Sequence, residues 1–494
     1  MWLTQLLERN RQCRPGRTAL VDEERSVTWA EFHDRTLELA RGLAELGIER
    51  GDRVAVLSKD RIEVLESYFA LARLGALFVP LNHSLAEPEV AGIIERVGAV
   101  AVIGESELLD RHPELPASVR IRLALDKPAF EALGTLATER DLPEVADTDP
   151  IAVLHTSATT GQAKGVTVDS GSFRAIALGW LVMARPTDDI VMVNCCPLYH
   201  GSMVVSLTYL AAGATVVLMP GFTPQRALTA VERHRATHMW LVPQMLRFVL
   251  QAKPSHRTDL SCLREILYGA APMPLDVYAD AVERLGCGFR QVYGMTEVGG
   301  PFVTLGPDEH PAPGDVTARI PCGRVVPGMS ARAVDGGGRE LPPGEIGEIV
   351  VRGPGVMRGY WNDPQATREI TLDGWIRTGD LGFLDDEGRI SLVDRTKDVI
   401  IRAGQNVYPS EIERALLTHP AVRDAAVVGM PDEDYGEVPL AYVVPEPGAD
   451  PGAAALLGHV KGLLAPYKWP RRVEFIEQVP RNPAGKIVKK LLRA

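Results

Sequence analysis

The sequence predicts an α/β protein with three parts: a large N-terminal domain of layered α/β sheets, a small β-barrel-like subdomain, and a small mobile α+β C-terminal domain. Three observations carry this reading. From Ser26 to about Thr304, helical periodicity alternates with short β-rich runs, the pattern of largely parallel sheets covered by helices. From about Gly323 to Val351, the texture turns to short strands separated by Gly/Pro turns. Beyond Asp394 a stretch of about 100 residues carries its own helix–strand pattern. A chain of 494 residues exceeds what one core holds, and the expected division is 1–394 and 395–494 with a hinge near 395–398.

In order, TWAEFHDRTLELARGLAEL reads as a helix before the strand RVAVLS, and IEVLESYFALARLGA as a helix before LFVPLN. The strand VGAVAVIG follows, then IAVLHT, VTVD, the helix SFRAIALGWLVMA and the strand IVMVNC. Leu198 to Gln225 is a long uncharged run, but His200, Gly213, Pro220 and Gly221 divide it. It reads as the buried helix SMVVSLTYLAA and the strand TVVLMP, not as a membrane span. Further on come TPQRALTAVERHRATHMWLV, ILYGAA and the helix PLDVYADAVERL. In the C-terminal part, Ser410 and Glu413 suggest a capping box opening the helix SEIERALL. The strands DAAVVGM and LAYVVP follow, then the surface loop PEPGADPG, the helix AALLGHVKGLL, the strand VEFIEQV and a short terminal helix.

Composition narrows the function. Apolar and charged contents of 46% and 24% are ordinary for a globular chain. A formal charge of −11, with a pI near 5.6, argues against nucleic acid or an anionic membrane as the main partner. The six cysteines show no CxxC pair and no zinc spacing, as expected of reduced, mostly buried thiols in a reducing compartment. The N-terminal stretch is amphipathic and charged, unlike a signal peptide, and a cytoplasmic enzyme is expected. No G-x-S-x-G occurs, which sets aside a serine hydrolase of that type.

The stretch HTSATTGQAKGVTVD, 155–169, holds the first chemistry. Between two strands it places Thr156, Ser157, Thr159, Thr160, Gly161 and Lys164 around Ala158. A Walker A loop needs Gly-Lys-Ser/Thr before a helix, and here Gly165 and Val166 follow the lysine. What remains is a run of backbone N–H groups and hydroxyls able to wrap an oligophosphate, with Lys164 as a point charge; alone, the loop has a solvated polar hairpin as its lesser alternative.

T-S-A-T-T-G-Q-A-K-G-V resembles the signature of the adenylate-forming superfamily, which includes acyl-CoA synthetases, aryl-CoA ligases, adenylation domains and luciferases. Seven other motifs of that family follow in order: PLYH (197–200), YGAAP (268–272), YGMTE (293–297), TGD (378–380), DRTKD (394–398), AGQNVYPSEIE (403–413) and NPAGK (482–486). The resemblance implies ATP-dependent activation of a carboxylic acid to an acyl-adenylate with release of pyrophosphate. Thioester formation with CoA, releasing AMP, follows. ATP, Mg2+ and CoA are implied as cofactor and co-substrates. Two anions meet in such a reaction, so catalysis should rest on positive charge and positioning.

Residue by residue, the resemblance gives residues 156–165 the β- and γ-phosphates, Thr156 and Glu297 the magnesium, and Thr296 the α-phosphate. Gly269, Ala270, Ala271 and Pro272 would pass beside the adenine. Tyr293, followed by Gly294 and Met295, would stack on its other face. Asp380 would take the ribose hydroxyls and Arg395 would brace them. Lys486 would be the catalytic lysine, with His200 in the same catalytic set. Lys397 would be the hinge, after which the loop of Ala403 and Gly404 lines the thiol tunnel. Lys468, Arg471, Arg472 and Arg481 stand open between receiving the CoA phosphates and forming a solvated face. Ala158 and Ala403 depart from the family's glycine. Where a site needs positive φ, alanine costs about 1–2 kcal/mol, so specialisation for one half-reaction is a second reading.

The acyl pocket is expected at His200, Gly201, Met203, Trp240, Val242, Gly269, Met295, Val298 and Gly299. These are apolar or small, with no arginine pair for a second carboxylate, so an apolar fatty, aromatic or alicyclic acid fits. An alternative is a stand-alone enzyme loading the phosphopantetheine arm of a separate carrier protein. Luciferase-like oxidation and a non-catalytic nucleotide-binding relative are further readings. The joint presence of Glu297, Asp380, Arg395 and Lys486 speaks against the last. Oligomeric state stays open.

Overall fold

The structure, a computed structural model, describes residues 1–136, 141–156, 163–199, 201–252, 258–315, 319–481 and 486–493. They form a mixed α/β fold of two compact units. Among the described residues, one takes in those up to 330 and 352–371, and the other 331–351 and those from 372 onward.

The first unit is built on two sheets. The nine-stranded sheet runs Arg324–Val325, Gly300–Leu305, Gly288–Met295, Glu265–Gly269, His238–Leu241, Val191–Asn194, Thr215–Leu218, Thr18–Val21 and Ser26–Thr28. Its six strands from Gly288–Met295 to Thr18–Val21 are parallel to their neighbours. The seven-stranded sheet runs Gly359–Tyr360, Gly165–Asp169, Pro150–His155, Leu77–Leu81, Arg53–Leu57, Ala101–Gly104 and Ile121–Ala124. Every residue of the helix Ile62–Leu74 is buried, as befits a helix apolar nearly all round. Its Tyr68 ring meets Phe78 and Phe173 edge-on, and Phe69 meets Phe32. Its Glu63 and Glu66 are buried but paired with Arg25, Arg35 and Arg61, the condition for burying charge. The helix Trp29–Glu45 opens on a capping box between Thr28 and Glu31.

The uncharged run divides as expected into the helix Ser202–Ala212 and the strand Thr215–Leu218. Among the described residues no helix is long and apolar enough to cross a membrane. All six cysteines are free, and Cys195, Cys196 and Cys322 are buried.

The second unit holds two five-stranded sheets. One contains Ser330–Val334, Gly347–Arg352, Thr371–Leu372, Trp375–Leu384 and Ile390–Arg395; its first two strands come from the expected β-rich stretch, and the sheet extends beyond it to Arg395. The other is led by the long antiparallel pair Val422–Asp432 and Gly436–Pro445, to which Arg472–Phe475 adds in parallel. The helices Pro409–Leu417 and Ala453–Leu463 pack their apolar faces into its core with Ile412, Leu416, Leu456 and Val460. The expected division at 394/395 falls at the end of the strand Ile390–Arg395, just before the second sheet begins at Ile400.

Two local expectations are corrected. Ser410 does not cap its helix: Pro409 already occupies the first turn, Tyr408 is the N-cap, and the Ser410 hydroxyl turns to the Val393 carbonyl. Glu413 points inward, accepting from the Val427 N–H at 2.8 Å and pairing with Lys489 at 2.9 Å. The terminal helix is a single 3₁₀ turn, Lys489–Leu492.

Candidate active site

Topology places the expected acyl and adenine residues before any side chain is considered. From Val191–Asn194 the chain crosses to Thr215–Leu218 on one side, then returns past it to His238–Leu241 on the other. The strand order reverses between Val191–Asn194 and His238–Leu241, and the crevice beyond the carboxyl ends at such a point is where ligands bind in open α/β sheets. The segment PLYH follows the first of these strands. Trp240 and Val242 end the second, Gly269 ends the next, and Met295 the one after it.

Of the acyl-pocket positions, Met203, Trp240, Val242 and Val298 are buried, whereas Gly201 is exposed at the start of the helix Ser202–Ala212. His200 lies outside the described residues. The Trp240 indole N–H is buried and finds no hydrogen-bond partner among the described residues. Just before His200, the Leu198 N–H donates to Asp60 Oδ1 at 2.9 Å. Burial pushes the Asp60 carboxyl up to about 8.

The adenine stretch has a backbone requirement of its own. A β-carbon on Gly269 would collide with the carbonyl oxygen of Val292 on the neighbouring strand, and one on Gly294 with that of Gly300. Glycine there serves strand pairing, whatever a ligand asks. Ala270 takes φ +66°, turning the chain out of the sheet so that Ala270 and Pro272 are exposed and Ala271 half-exposed. The Tyr293 ring is half-buried, 5.3 Å from that of Phe302. Thr296–Val298 is a 3₁₀ turn closed by the Gly299 N–H on the Thr296 carbonyl, with Gly299 at φ +63°.

The phosphate stretch is strand–loop–strand: Pro150–His155 and Gly165–Asp169 are antiparallel partners, and the Thr156 N–H bonds the Lys164 carbonyl at 3.1 Å. Ser157, Ala158, Thr159, Thr160 and Gly161 lie outside the described residues. At the loop's entry, burial pushes His155 down to about 4, so its imidazole is neutral near pH 7. Lys164 sits over the Tyr360 ring, 4.9 Å from its centroid, and the Tyr360 hydroxyl donates to Glu297 Oε1 at 2.8 Å. Burial first, then the charge of Glu297, raises the Tyr360 phenol above its ordinary range. Among the described residues no group of three or more His, Cys, Asp and Glu could cage a metal. One buried carboxylate, Glu297, is nonetheless a fit ligand for magnesium, which takes few protein ligands and keeps substrate phosphates and water.

In the second unit TGD and DRTKD are brought together. Asp380 and Arg395 are register partners on neighbouring strands, with Arg395 Nε 3.0 Å from Asp380 Oδ1. Lys397 lies in the 3₁₀ turn Thr396–Asp398, its ammonium pushed down chiefly by burial. Asp394 joins this turn to the next helix, accepting from the N–H groups of Arg395 and Ser410. Ala403 and Gly404 form the two-residue turn between Ile400–Arg402 and Gln405–Val407, at φ +48° and +78°. A tight hairpin of that kind needs positive φ at both positions, so alanine indeed stands where glycine is easier. Lys486 is half-buried. The segment around it is held by the Arg481–Ile487 bridge, by Arg481 on Asp424, by Lys489 on Glu413 and by Arg493 on Asp398. Of the basic run, Lys468 pairs with Glu411, Arg472 with Glu474 and Arg481 with Asp424. Three of its four members are therefore already engaged with carboxylates.

Sequence reasoning missed Tyr360 and Asp60, and named Asp394 only as the first residue of DRTKD. Tyr360 lies in GYW, with no charged or nucleophilic neighbour to mark it, and only its pairing with the phosphate hairpin reveals it.

Comparison with known proteins finds relatives along nearly the whole chain. The family model described as AMP-binding enzyme matches residues 7–361, and that of the AMP-binding enzyme C-terminal domain matches 411–486. The chain is 38% identical to a feruloyl-CoA synthase of Amycolatopsis sp over 97% of its length and 96% of the relative's. It is 36% identical to the fatty acid–[acyl-carrier-protein] ligase ScoC of Streptomyces coeruleorubidus, over 99% and 96%. Among solved structures, ATP-bound MatB from Rhodopseudomonas palustris superposes with a TM-score of 0.92 at 31% identity, covering 99% and 98% of the two chains. The o-succinylbenzoate CoA synthetase MenE of Bacillus subtilis, solved with ATP and magnesium ion, gives 0.86 at 30% identity, with the same coverage.

Proposed function

Because the chain belongs to the AMP-binding enzyme family, we propose that it is an acid–CoA ligase. It activates an apolar carboxylic acid with ATP and magnesium, then passes the acyl group to the CoA thiol. The observation that carries the reading is the full-length correspondence to acid–thiol ligases together with the Asp380–Arg395 pair and the open strand ends at the sheet's reversal. In the first step a carboxylate oxygen attacks the α-phosphorus and pyrophosphate leaves. In the second the thiol attacks the acyl carbon, AMP leaves and the thiol proton is released.

The chain's residues bind and position. Asp380 and Arg395 hold the ribose, Tyr293 and the segment 269–272 the adenine, Lys164 and Thr156 the phosphates, and Thr296 the α-phosphate. Lys486 offsets the charge that builds as carboxylate and phosphate meet, a preorganised cation whose loss costs about 10²–10³ in rate. Magnesium, when bound, neutralises triphosphate charge, and Thr156 and Glu297 would hold it. Met203, Trp240, Val242 and Val298 present an apolar wall to a fatty, aromatic or alicyclic acid, and no arginine pair stands among these positions to take a second carboxylate. The domain boundary at 394/395, with Lys397 as hinge, falls in the stretch that neither family model covers, which supports it. A cytoplasmic location accords with the free cysteines.

The relative that loads an acyl carrier protein favours a second reading, in which the acceptor is the phosphopantetheine arm of a separate carrier. The test is pyrophosphate release across a panel of acids, alone, with CoA and with a phosphopantetheinylated carrier. We expect acid-dependent release, turnover raised by CoA, and loss of release in Lys486→Ala. Release that ignores every acid, or survives Lys486→Ala at the normal rate, overturns the assignment; turnover raised only by the carrier selects the second reading.

A further inference from the structure

Tyr360 lies between the two anion-handling parts of the first unit. Its strand Gly359–Tyr360 pairs with Gly165–Asp169, the outgoing arm of the phosphate hairpin, with Tyr360 opposite Val166. Arg358 N–H donates to the Thr167 carbonyl and Trp361 N–H to that of Gly165, at 2.9 and 2.7 Å. Three residues earlier, Met357 N–H donates to the Glu297 carbonyl at 2.8 Å. Residues 357–361 are thus laced to the phosphate hairpin on one side and to YGMTE on the other. Thr367 fixes the strand further, its hydroxyl accepting from the Tyr360 N–H at 2.9 Å. From this braced backbone the phenol reaches Glu297 Oε1 at 2.8 Å while its ring carries the Lys164 ammonium at 4.9 Å.

We propose that Tyr360 is a positioning residue for the magnesium–triphosphate, setting the Glu297 carboxylate through its hydroxyl and the Lys164 ammonium through its ring. The inference rests on the reading of Glu297 as a magnesium contact and Lys164 as a phosphate contact. A carboxylate with one oxygen tied to a phenol has lost its free rotation and offers the other oxygen in one direction. That suits magnesium, which accepts little departure from octahedral geometry. A lysine resting on an aromatic face keeps its charge while giving up part of its rotamer freedom before ATP arrives. The two effects are separable, because phenylalanine keeps the ring and removes only the hydroxyl.

The experiment is calorimetric titration of ATP without acid, so that no turnover occurs, at a series of magnesium concentrations. It compares the full chain with Tyr360→Phe, Tyr360→Leu, Glu297→Gln and the double variant Tyr360→Phe/Glu297→Gln. Tyr360→Phe should move the magnesium concentration for half-maximal ATP affinity up by about tenfold, the worth of one hydrogen bond to a charged group. Saturating magnesium should then bring its affinity back to within about threefold of the parent. Tyr360→Leu should keep a deficit of about threefold or more at saturating magnesium, from the lost cation–π contact. The double variant should be no worse than Glu297→Gln alone, since the hydroxyl acts through that carboxylate. A Tyr360→Phe enzyme with the parent's magnesium dependence, beside an impaired Glu297→Gln, overturns the role of the hydroxyl. Equal behaviour of Phe and Leu overturns that of the ring. An unimpaired Glu297→Gln removes the magnesium reading itself, and the inference with it. Tyr360→Phe, nearly isosteric, gives a decisive answer even if Tyr360→Leu does not fold.

Discussion

Asp380 stands opposite Arg395 on the next strand, with 3.0 Å between its Oδ1 and the arginine Nε and only 7% of its surface exposed. The guanidinium orients a nearly buried carboxylate. If that carboxylate receives the ribose hydroxyls, Asp380→Asn loses hydrogen bonds to a charged acceptor, each worth about 1.5–3 kcal/mol. The apparent KM for ATP in pyrophosphate release should rise by roughly 10–100-fold, with kcat affected less. An ATP KM within twofold of the parent would remove Asp380 from the nucleotide site.

The segment bearing Lys486 is anchored by a largely buried pair, Lys489 and Glu413, with side chains only 12% and 14% exposed. Removing one partner of such a pair strands the other charge and costs about 3–5 kcal/mol, whereas replacing both by apolar residues of similar size is often close to neutral. Glu413→Leu should therefore lower the midpoint of thermal unfolding sharply, and Glu413→Leu/Lys489→Met should recover most of the loss. Equal losses in the single and double variants would show that packing, not charge, dominates there.

Asp60 gives a pH signature. An aspartate unfolds to a carboxyl of about 3.8 but sits near 8 in this fold. Between those values the native state keeps a proton that the unfolded chain has released, so stability declines as pH rises from about 4 to 8, by at most about 1.4 kcal/mol per pH unit. Asn at this position keeps an acceptor for the Leu198 N–H and carries no such penalty. Thermal melts should show Asp60→Asn more stable than the parent at pH 8, with the gap closing toward pH 4.5. A gap independent of pH would mean that Asp60 is ionised in the fold.

The Ala403–Gly404 turn separates strain from chain entropy. Alanine at φ +48° costs about 1 kcal/mol, but glycine there would loosen the unfolded chain by about as much. Ala403→Gly should then change unfolding stability by less than about 0.5 kcal/mol. Gly404→Ala, at φ +78° in open space, should cost about 1 kcal/mol. The thioester-forming step, followed by CoA consumption from preformed acyl-adenylate, should change by less than tenfold in Ala403→Gly. A larger gain would mark Ala403 as a brake on that half-reaction.

The alternation of periods 3.6 and 2 located most helices and strands of the first unit, because a parallel sheet buried on both faces leaves apolar runs of the length of a strand. The motif residues came instead from the resemblance to the adenylate-forming superfamily, which TGD and DRTKD carry in their order along the chain. What sequence reasoning missed lies in register and direction. Ser410 and Glu413 have the spacing of a capping box, but the chain spends Glu413 on Lys489 and the Val427 N–H, a partnership between residues far apart in sequence. Tyr360 belongs to the same class, since a two-residue strand has no periodicity to read. The basic run at 468–481, which the sequence leaves open between an anion site and a solvated face, has three of its four cations paired with carboxylates brought in by the fold.

The reversal of strand order between Val191–Asn194 and His238–Leu241 has an evolutionary consequence. The residues around the candidate acyl crevice arrive on separate loops, each rooted in a strand whose hydrogen bonding is independent of what the loop carries. Acid preference can therefore drift one loop at a time, without a compensating change in the sheet. A graft of the segment after Asn194 or after Leu241 from a relative of different acid preference should fold and carry part of that preference with it. Such modularity lets one scaffold serve many acids while its nucleotide chemistry stays fixed.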